Sequence, residues 1–548
     1  MSDYRRYRPG PYDEMVREFR WEVPPKYNIA LDTVDKHDPE RVAMLWEDWA
    51  GNERKLTFGD IRGISNRIAN VLTEQGVERG DRVAVMLPSR PETAAAFIAV
   101  YKLGAILLSL SQLYGDDGIA HRLSDSSAKV MITDGTNRPR LEGMSERLED
   151  LERVLVLNAG DSLVDGDVDL DAALQAASDE FTPVDTSSED PAQLYYSSGT
   201  TGQAKGILHA HRYLLGHNEY ELCHDVRADE VFHSTGEWAW IAGIVPGLLG
   251  PWRYGVPVAV WQRKGGAYDP QETFHVLEKY EVGNLFTTPT ALRAMTQVKN
   301  PGSEYRVKLR IACSAGEPLN PEVIRWFESQ FGIPVFDYYG LTESYPLCGN
   351  FPTVEVRPGS MGKPLPGWEV ALLEVGGNGE VPRGEAGEIC LRARSNPHYP
   401  IGYWNRPEDT AEVFGGDYFR TKDVGRMDED GYIWYEGRAD DVIISAGYRI
   451  GPFEVESAIL ELPEVVEAAA VATPDEQRGH VVKAFVRLTP GTEPGPELEQ
   501  RIKDQVRNSY AAYAYPRAIE FVDDLPKTLT GKIRRIELRQ AEAERAPR

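Results

Sequence analysis

Short apolar runs and stretches of helical period alternate along most of the chain. Residues 83–87, Val-Ala-Val-Met-Leu, predict a strand, 92–103 a helix, and 106–110, Ile-Leu-Leu-Ser-Leu, a second strand. A helix near 118–124 and a strand at 130–134 follow. This alternation predicts a mostly parallel sheet with helices on its faces. Ahead of it, 27–32 reads as a lead-in helix and 55–61 as a strand feeding a helix. The segment 161–190 is acidic and irregular, and reads as surface. Further on, 194–196 predicts a buried strand and 207–225 a helix. Residues 284–290 read as a strand entering a helix, and 310–318 as a strand ending in a turn.

The pattern changes near Arg438. Gly437-Arg-Ala-Asp-Asp441 is short and polar, and beyond it come an apolar run at 442–445, a helix at 452–460, strands at 465–471 and 481–488, and a helix from 496. About 110 residues with their own β-α-β pattern predict a second folding unit. The expected fold is therefore α/β. A large domain, 1–437, holds mostly parallel sheets flanked by helices, and a small mobile α+β domain covers 438–548.

Composition narrows the class. At 548 residues, with 41% hydrophobic and 10% aromatic residues, the chain is globular and too long for one core. A net charge of −26 argues against nucleic acid or an anionic membrane as partner. The 16 lysines against 44 arginines and 86 acidic residues suit a protein kept soluble in concentrated salt, a halophile's enzyme, the alternative being an ordinary acidic one. Cys223, Cys313, Cys348 and Cys390 are scattered without a Cys-x-x-Cys pair, so neither a zinc site nor a disulfide framework is indicated. The apolar stretch 83–114 is broken by Pro88, Arg90, Pro91, Glu92 and Lys102 and cannot span a bilayer, and the basic N-terminus lacks a signal-peptide core. A cytoplasmic location is expected.

The candidate chemistry centres on Tyr196-Ser197-Ser198-Gly199-Thr200-Thr201-Gly202-Gln203-Ala204-Lys205-Gly206. Hydroxyls, bare backbone N–H groups and one mobile cation together suit a polyphosphate. The spacing is not that of a Walker A loop, and by composition alone a flexible surface loop fits equally well. In Ser234-Thr-Gly-Glu-Trp238-Ala-Trp240, two tryptophans beside glycines read either as core aromatics or as the wall of an apolar substrate tunnel. The hydroxyls and carboxylate of Tyr338-Tyr339-Gly340-Leu341-Thr342-Glu343-Ser344 could hold a hard cation such as Mg²⁺. His209-Ala-His211 resembles a metal pair, but on a helix alternate residues point apart.

Several separated stretches then agree. Residues 196–206, Ser314-Ala-Gly-Glu-Pro318, 338–344, Tyr418-Phe-Arg-Thr-Lys-Asp423, 437–451 and 526–532 run in the order of the adenylate-forming superfamily of acyl-CoA synthetases, luciferases and peptide-synthetase adenylation domains. Within it the chain most resembles the medium-chain acyl-CoA synthetases, through Ser360-Met-Gly-Lys-Pro, 438–456 and Tyr513-Ala-Tyr-Pro-Arg517. Two positions depart from that pattern. Lys422 stands where the family usually has Gly, and Ala446 where a Ser often precedes Gly447.

The resemblance implies an enzyme that joins a carboxylic acid to ATP, giving acyl-AMP and pyrophosphate, then passes the acyl group to coenzyme A. It implies phosphate contacts from Ser197, Ser198, Gly199, Thr200, Thr201, Gly202, Gln203, Ala204 and Lys205, with Thr200, Thr342, Glu343 and Lys532 as catalytic residues. Gly316, Glu317 and Pro318, with Asp337, Tyr338, Tyr339, Gly340 and Leu341, would line the adenine side. Asp423 would bind the ribose with Arg438 nearby, Arg449 would reach phosphate, and Glu343 would ligate Mg²⁺. Gln112, Gly447, Tyr448, Arg478, Arg507, Tyr515 and Arg517 fall where relatives contact CoA. Asp440 would be the hinge. Glycine at 340, where acetyl-CoA synthetases carry tryptophan, implies an acyl pocket open toward Trp238 and Trp240, hence a medium-chain, branched or aromatic acid. The alternatives are a short-chain synthetase, or an adenylating enzyme that does not use CoA. A monomer or a homodimer would serve.

Overall fold

The computed structural model describes residues 10–197, 204–265, 268–445, 448–475, 479–509, 511, 513–528 and 532–545. Two large sheets carry the bulk of the chain. The first has eight strands, in the order Gly402–Tyr403, Lys205–Ala210, Pro191–Ser197, Ile106–Ser109, Arg82–Val85, Val130–Asp134, Arg153–Leu157 and Val168–Asp169. From Pro191–Ser197 to Val168–Asp169 the neighbours are parallel.

The second has nine strands, with Asn284–Thr287, Ile311–Ser314 and Val335–Leu341 parallel and adjacent near its middle. The helix Pro91–Lys102 is buried along almost its whole length, as its alanine-rich sequence allows. Proline at its first position supplies a helical φ without wasting an N–H. Lys102, fully buried in its last turn, is neutralised by Asp35 at 2.9 Å and accepted by Asn66 Oδ1 at 2.7 Å.

An antiparallel four-stranded sheet, Val370–Leu373, Ala386–Arg392, Tyr418–Met427 and Ile433–Arg438, ends the large unit. Beyond it the chain builds a separate core. A hairpin of Ile443–Ser445 and Tyr448–Ile450 and a sheet of Val465–Asp475, Gly479–Leu488 and Ala518–Phe521 pack against the helices Pro452–Leu460 and Pro496–Ser509. Among the described residues no helix is long and apolar enough to cross a membrane.

Three local expectations are corrected. The segment after the Ser/Gly-rich loop is not a helix to 225 but the strand Lys205–Ala210, antiparallel to Pro191–Ser197, followed by the 3₁₀ turn His211–Gly216 and the short helix Glu219–Leu222. With a strand on each side and burial on both faces, it shows a continuous apolar run, and such a run has no period to separate strand from helix. A Cβ on Gly206 would stand 3.0–3.2 Å from Leu194, Trp404 and Tyr196, so glycine lets these strands close up. Second, Val42–Asp48 is an unforeseen strand, parallel to Val258–Gln262. Third, the irregular acidic stretch contains the helix Leu170–Ala176, whose first turn is capped by Asp169 accepting from Ala172 N–H.

Candidate active site

The carboxyl ends of Ile311–Ser314 and Val335–Leu341 meet the sheet edge where α/β proteins place ligands. Leu341 pairs with Ser344, which leaves Thr342 and Glu343 as a two-residue hairpin turn. The turn is braced from below by His209. Its Nε2 lies 3.0 Å from the Thr342 carbonyl, and its Nδ1 3.3 Å from the carbonyl of His398. Burial lowers the His209 pKa to about 3, so the ring is neutral and has one N–H to donate. Burial likewise raises the pKa of Glu343 above the usual carboxylate range. The Tyr403 hydroxyl, donating to Glu343 Oε1 at 3.2 Å, opposes that rise.

On the side expected to face the nucleoside, Asp423 accepts from the Tyr339 hydroxyl at 2.6 Å and from Arg438 Nη1 at 3.3 Å. Burial pushes its pKa up. Arg438, the Tyr339 hydrogen bond and the charge of Lys532 pull it down. Lys532 is exposed on the small domain, and its positive charge favours the ionised form of Asp423. Lys422, one of the two departures, has φ +62°, a left-handed conformation that glycine adopts without strain. Its backbone N–H is held by Glu388 Oε1 at 3.0 Å.

Other predicted residues are placed less simply. Glu317 is committed to Thr290 Oγ1, at 2.8 and 2.9 Å, and to Arg293 at 2.8 Å, beside Gly316 at φ +101° and Pro318. Asp337 is buried with Oδ1 unpartnered, and burial holds it far above the carboxylate range. The side chain of Tyr338 does not line the cleft. It faces the core, 3.2 Å from His224 Nε2, because successive strand residues alternate faces and Tyr339 takes the cleft side. Leu341 is half-buried.

Of the phosphate-loop residues, Ser198, Gly199, Thr200, Thr201, Gly202 and Gln203 lie outside the described residues. Ser197 and Lys205 pair across the hairpin at its base. The Ala204 carbonyl meets His121 Nε2 at 2.9 Å. Lys205 Nζ sits 2.7 Å from Asp409 Oδ2 and 5.6 Å from the centre of the Tyr403 ring.

The CoA candidates divide. Arg507 and Arg517 stand 3.9 and 5.0 Å from the ring centre of Tyr515, one cationic stack on the small domain. Gly447 and Arg478 lie outside the described residues. Tyr448 and Arg449 fall in the strand Tyr448–Ile450. Gln112 lies in the large domain and reaches Asp134 Oδ2 at 3.5 Å.

Gln112 and Trp238 also line a narrow cleft, about 70 Å³ in volume, together with Phe97, Glu237, Trp261 and Arg263. Trp240 and Gly340 are not on that wall, contrary to expectation. Trp240 packs edge-on to Tyr114 at 5.5 Å. A Cβ on Gly340 would meet the Tyr345 ring at 2.5 Å, so Tyr345 fills the space that glycine leaves.

Tyr403, Asp409, His209 and His398 were not foreseen as parts of the site. The two histidines pack at 4.8 Å between ring centres. His209-Ala-His211 drew notice only as a metal pair. His211 instead accepts from the N–H of Ile29 at 3.3 Å.

Comparison with known proteins matches these features. The profile described as AMP-binding enzyme covers residues 31–404, and that of the AMP-binding enzyme C-terminal domain covers 454–532. The mitochondrial acyl-coenzyme A synthetase ACSM3 of Mus musculus is 36% identical, over 99% of this chain and 95% of its own. The acetyl-coenzyme A synthetase of Bacillus subtilis (strain 168) is 35% identical, over 96% and 94%. The crystal structure of the anthranilate CoA ligase AuaEII in complex with anthranoyl-AMP superposes with a TM-score of 0.88 at 29% identity, covering 95% of this chain and 98% of that one.

Proposed function

This chain belongs to the AMP-binding enzyme family and is an AMP-forming acid–CoA ligase, and from that premise we propose how its residues divide the two steps. The observation that carries the reading is the pair of hydrogen bonds to Asp423 from Arg438 and from Tyr339, which stands on the strand that ends at the Thr342–Glu343 turn, with the positive charge of Lys532 acting on the same carboxylate. Asp423 accepts the ribose hydroxyls, and the Arg438 guanidinium favours its charged form against the effect of burial. Attack of the acid's carboxylate oxygen on the α-phosphorus gathers negative charge and expels pyrophosphate. Thr342, Lys205 and Lys532 donate hydrogen bonds and positive charge to those oxygens. Arg449 adds a further cation to the phosphates.

Glu343 fits a hard cation. It is a partly buried carboxylate whose described side-chain partner is one neutral hydroxyl, and Mg²⁺ is bound by one or two carboxylates plus substrate phosphates. Among the described residues no group of three or more His, Cys, Asp or Glu could hold a metal alone, so phosphate oxygens would complete the shell. When bound, the ion neutralises charge on the phosphates. In the second step the thiol of CoA displaces AMP, after the small domain turns about Asp440 and withdraws Lys532. Gln112 and the Arg507–Tyr515–Arg517 stack would then take CoA.

For the acid we propose a medium-chain, branched or aromatic carboxylate, supported by the cleft beside Trp238 and Phe97. One observation favours a smaller acid. Tyr345 occupies the volume beside Gly340. CoA-dependent AMP release with acetate, butyrate, octanoate, 2-methylbutyrate and benzoate decides between them, and preference for acetate would discard the larger acid. AMP release without thioester would discard the CoA step.

A further inference from the structure

We propose that Tyr403 is a positioning residue of the phosphate centre, fixing Lys205 and Glu343 relative to one another through a single side chain. The proposal rests on the adenylating function above and deepens it. Residues 401–404 are zipped onto the strand that carries the lysine. Tyr403 stands opposite Ile207 and Gly402 opposite Leu208, Ile401 N–H donates to the Leu208 carbonyl at 2.8 Å, and Trp404 N–H to that of Gly206 at 2.8 Å. From this register the Tyr403 hydroxyl donates to Glu343 Oε1 at 3.2 Å, while its ring lies 5.6 Å from Lys205 Nζ. One aromatic side chain therefore touches both the cation at the base of the phosphate loop and the carboxylate of the hairpin turn.

The tyrosine is itself held from behind. Its backbone N–H donates to Thr410 Oγ1 at 2.9 Å, and Phe414 packs on its ring at 5.2 Å between centres. A Cβ on Gly402 would collide with Thr410 Cγ2 at 2.5 Å, so glycine allows this close seating. Asp409, one residue before that threonine, takes Lys205 Nζ at 2.7 Å, with both side chains partly exposed. An ion pair so placed is cheap to give up. Asp409 thus acts as a parking place for the lysine, which passes to the triphosphate while the ring keeps its direction. A tyrosine that merely filled space would need neither its hydroxyl nor this register.

Tyr403→Phe and Tyr403→Leu in the full-length enzyme separate the roles. The first step is read by acid-dependent ATP–pyrophosphate exchange, the second by thioester formation from supplied acyl-AMP, and nucleotide binding by calorimetry with Mg·ATP and no acid. A hydrogen bond to a charged group is worth ~10–100-fold, so Tyr403→Phe should lose about that much in the kcat of exchange. Its KM for ATP, its Mg·ATP affinity and its second step should stay within about two-fold. Tyr403→Leu, which also removes the ring, should weaken Mg·ATP binding by a further ~2–5-fold, the scale of an exposed cation–π contact. Exchange by Tyr403→Phe within about two-fold of wild type, or equal loss in both steps, overturns the proposal. So does unchanged Mg·ATP affinity in Tyr403→Leu. Calorimetry needs neither acid nor thiol, so this result stands apart from whether the wild type makes thioester, on which the proposed function depends.

Discussion

The hydroxyl of Tyr339 lies 2.6 Å from Asp423 Oδ2, and through it the strand Val335–Leu341 is tied to the carboxylate proposed to bind the ribose. Both carboxylate oxygens are engaged, since Arg438 takes Oδ1, and the Lys532 charge acts on the same group from the other domain. In the proposed mechanism that arrangement serves the first half-reaction. Lys532→Ala should cost ~10²–10³-fold in acyl-AMP formation, the scale of removing one preorganised donor from a site of developing charge. Thioester formation from supplied acyl-AMP should survive. Pyrophosphate exchange and single-turnover thioester assays check this, and equal losses in the two would refute the half-specific role.

Asp440 sits between anchored neighbours. Ala439 N–H donates to the Lys422 carbonyl at 2.8 Å, Asp441 N–H to that of Arg438 at 2.9 Å, and the Asp441 side chain pairs with Arg539. The Asp440 side chain is half exposed, with Arg438 Nε 3.6 Å from its carboxylate. A rotation concentrated at this residue, as proposed, would leave both cores intact. Asp440→Pro, which fixes φ, should therefore block one half-reaction and spare the other, according to the conformer it traps. Wild-type rates in both halves would move the hinge elsewhere.

Glu454 gives the domain junction a pH dependence. Burial, and then the charge of Glu436, raise its pKa to about 8. Glu456 adds to the rise and Arg426 opposes it. Glu436 is paired with Arg426 at 3.1 Å and Glu456 with Arg535 at 2.6 Å, while Glu454 Oε2 has no hydrogen-bond partner. The folded state holds this proton more tightly than the unfolded chain, whose glutamate titrates near 4.3. The stabilisation is complete below that value and is lost as the pH rises through 8, at most roughly 1–3 kcal/mol after relaxation. Glu454→Gln should match wild type in melting temperature at pH 5 and exceed it by several degrees at pH 8.5. Parallel Tm–pH curves would count against the buried proton.

Salt should act on the surface as a whole. With 86 acidic side chains and a net charge of −26, self-repulsion opposes the compact state. At 1 M salt the Debye length falls to about 3 Å and that repulsion is screened. Activity and melting temperature should both rise with molar KCl. A flat or falling profile would mark an ordinary acidic enzyme.

What the sequence made legible, and what it hid, follows from the range of the interactions. The strands at 83–85, 106–109 and 130–134 announce themselves because buried parallel strands are short apolar runs flanked by turn residues. Val42–Asp48 did not, since its burial alternates in threes rather than twos and mimics a helix. Asp423, Thr342 and Glu343 could be read from local motifs. Tyr403 could not. Its meaning comes from partners 60 and 198 positions away, Glu343 and Lys205, which only the closed sheet brings together. The cluster of His209 and His398 is hidden for the same reason. Gly340 shows the opposite failure, in which a local motif was read correctly but its neighbour, Tyr345, had already claimed the space.

That neighbour sets the last prediction. An enzyme for acids larger than acetate must house the extra carbons, and each methylene in a well-shaped apolar pocket is worth roughly 1–3 kcal/mol, or 10–200-fold. The wild type should therefore prefer butyrate, octanoate or benzoate over acetate by orders of magnitude in kcat/KM. Gly340→Trp is a poor probe by itself, because the indole must first displace the buried Tyr345 ring, an overpacking that costs about 1–3 kcal/mol in stability alone. Tyr345→Ala is the informative partner. If the acyl chain runs past Gly340, removing the ring should shift preference toward longer or branched acids. If the chain runs only along Trp238 and Phe97, the variant should lose stability without changing the rank order of substrates. A wild type that prefers acetate, together with a Tyr345→Ala variant that gains the larger acids, would identify Tyr345 as the residue that closes the pocket, and this protein as a short-chain enzyme.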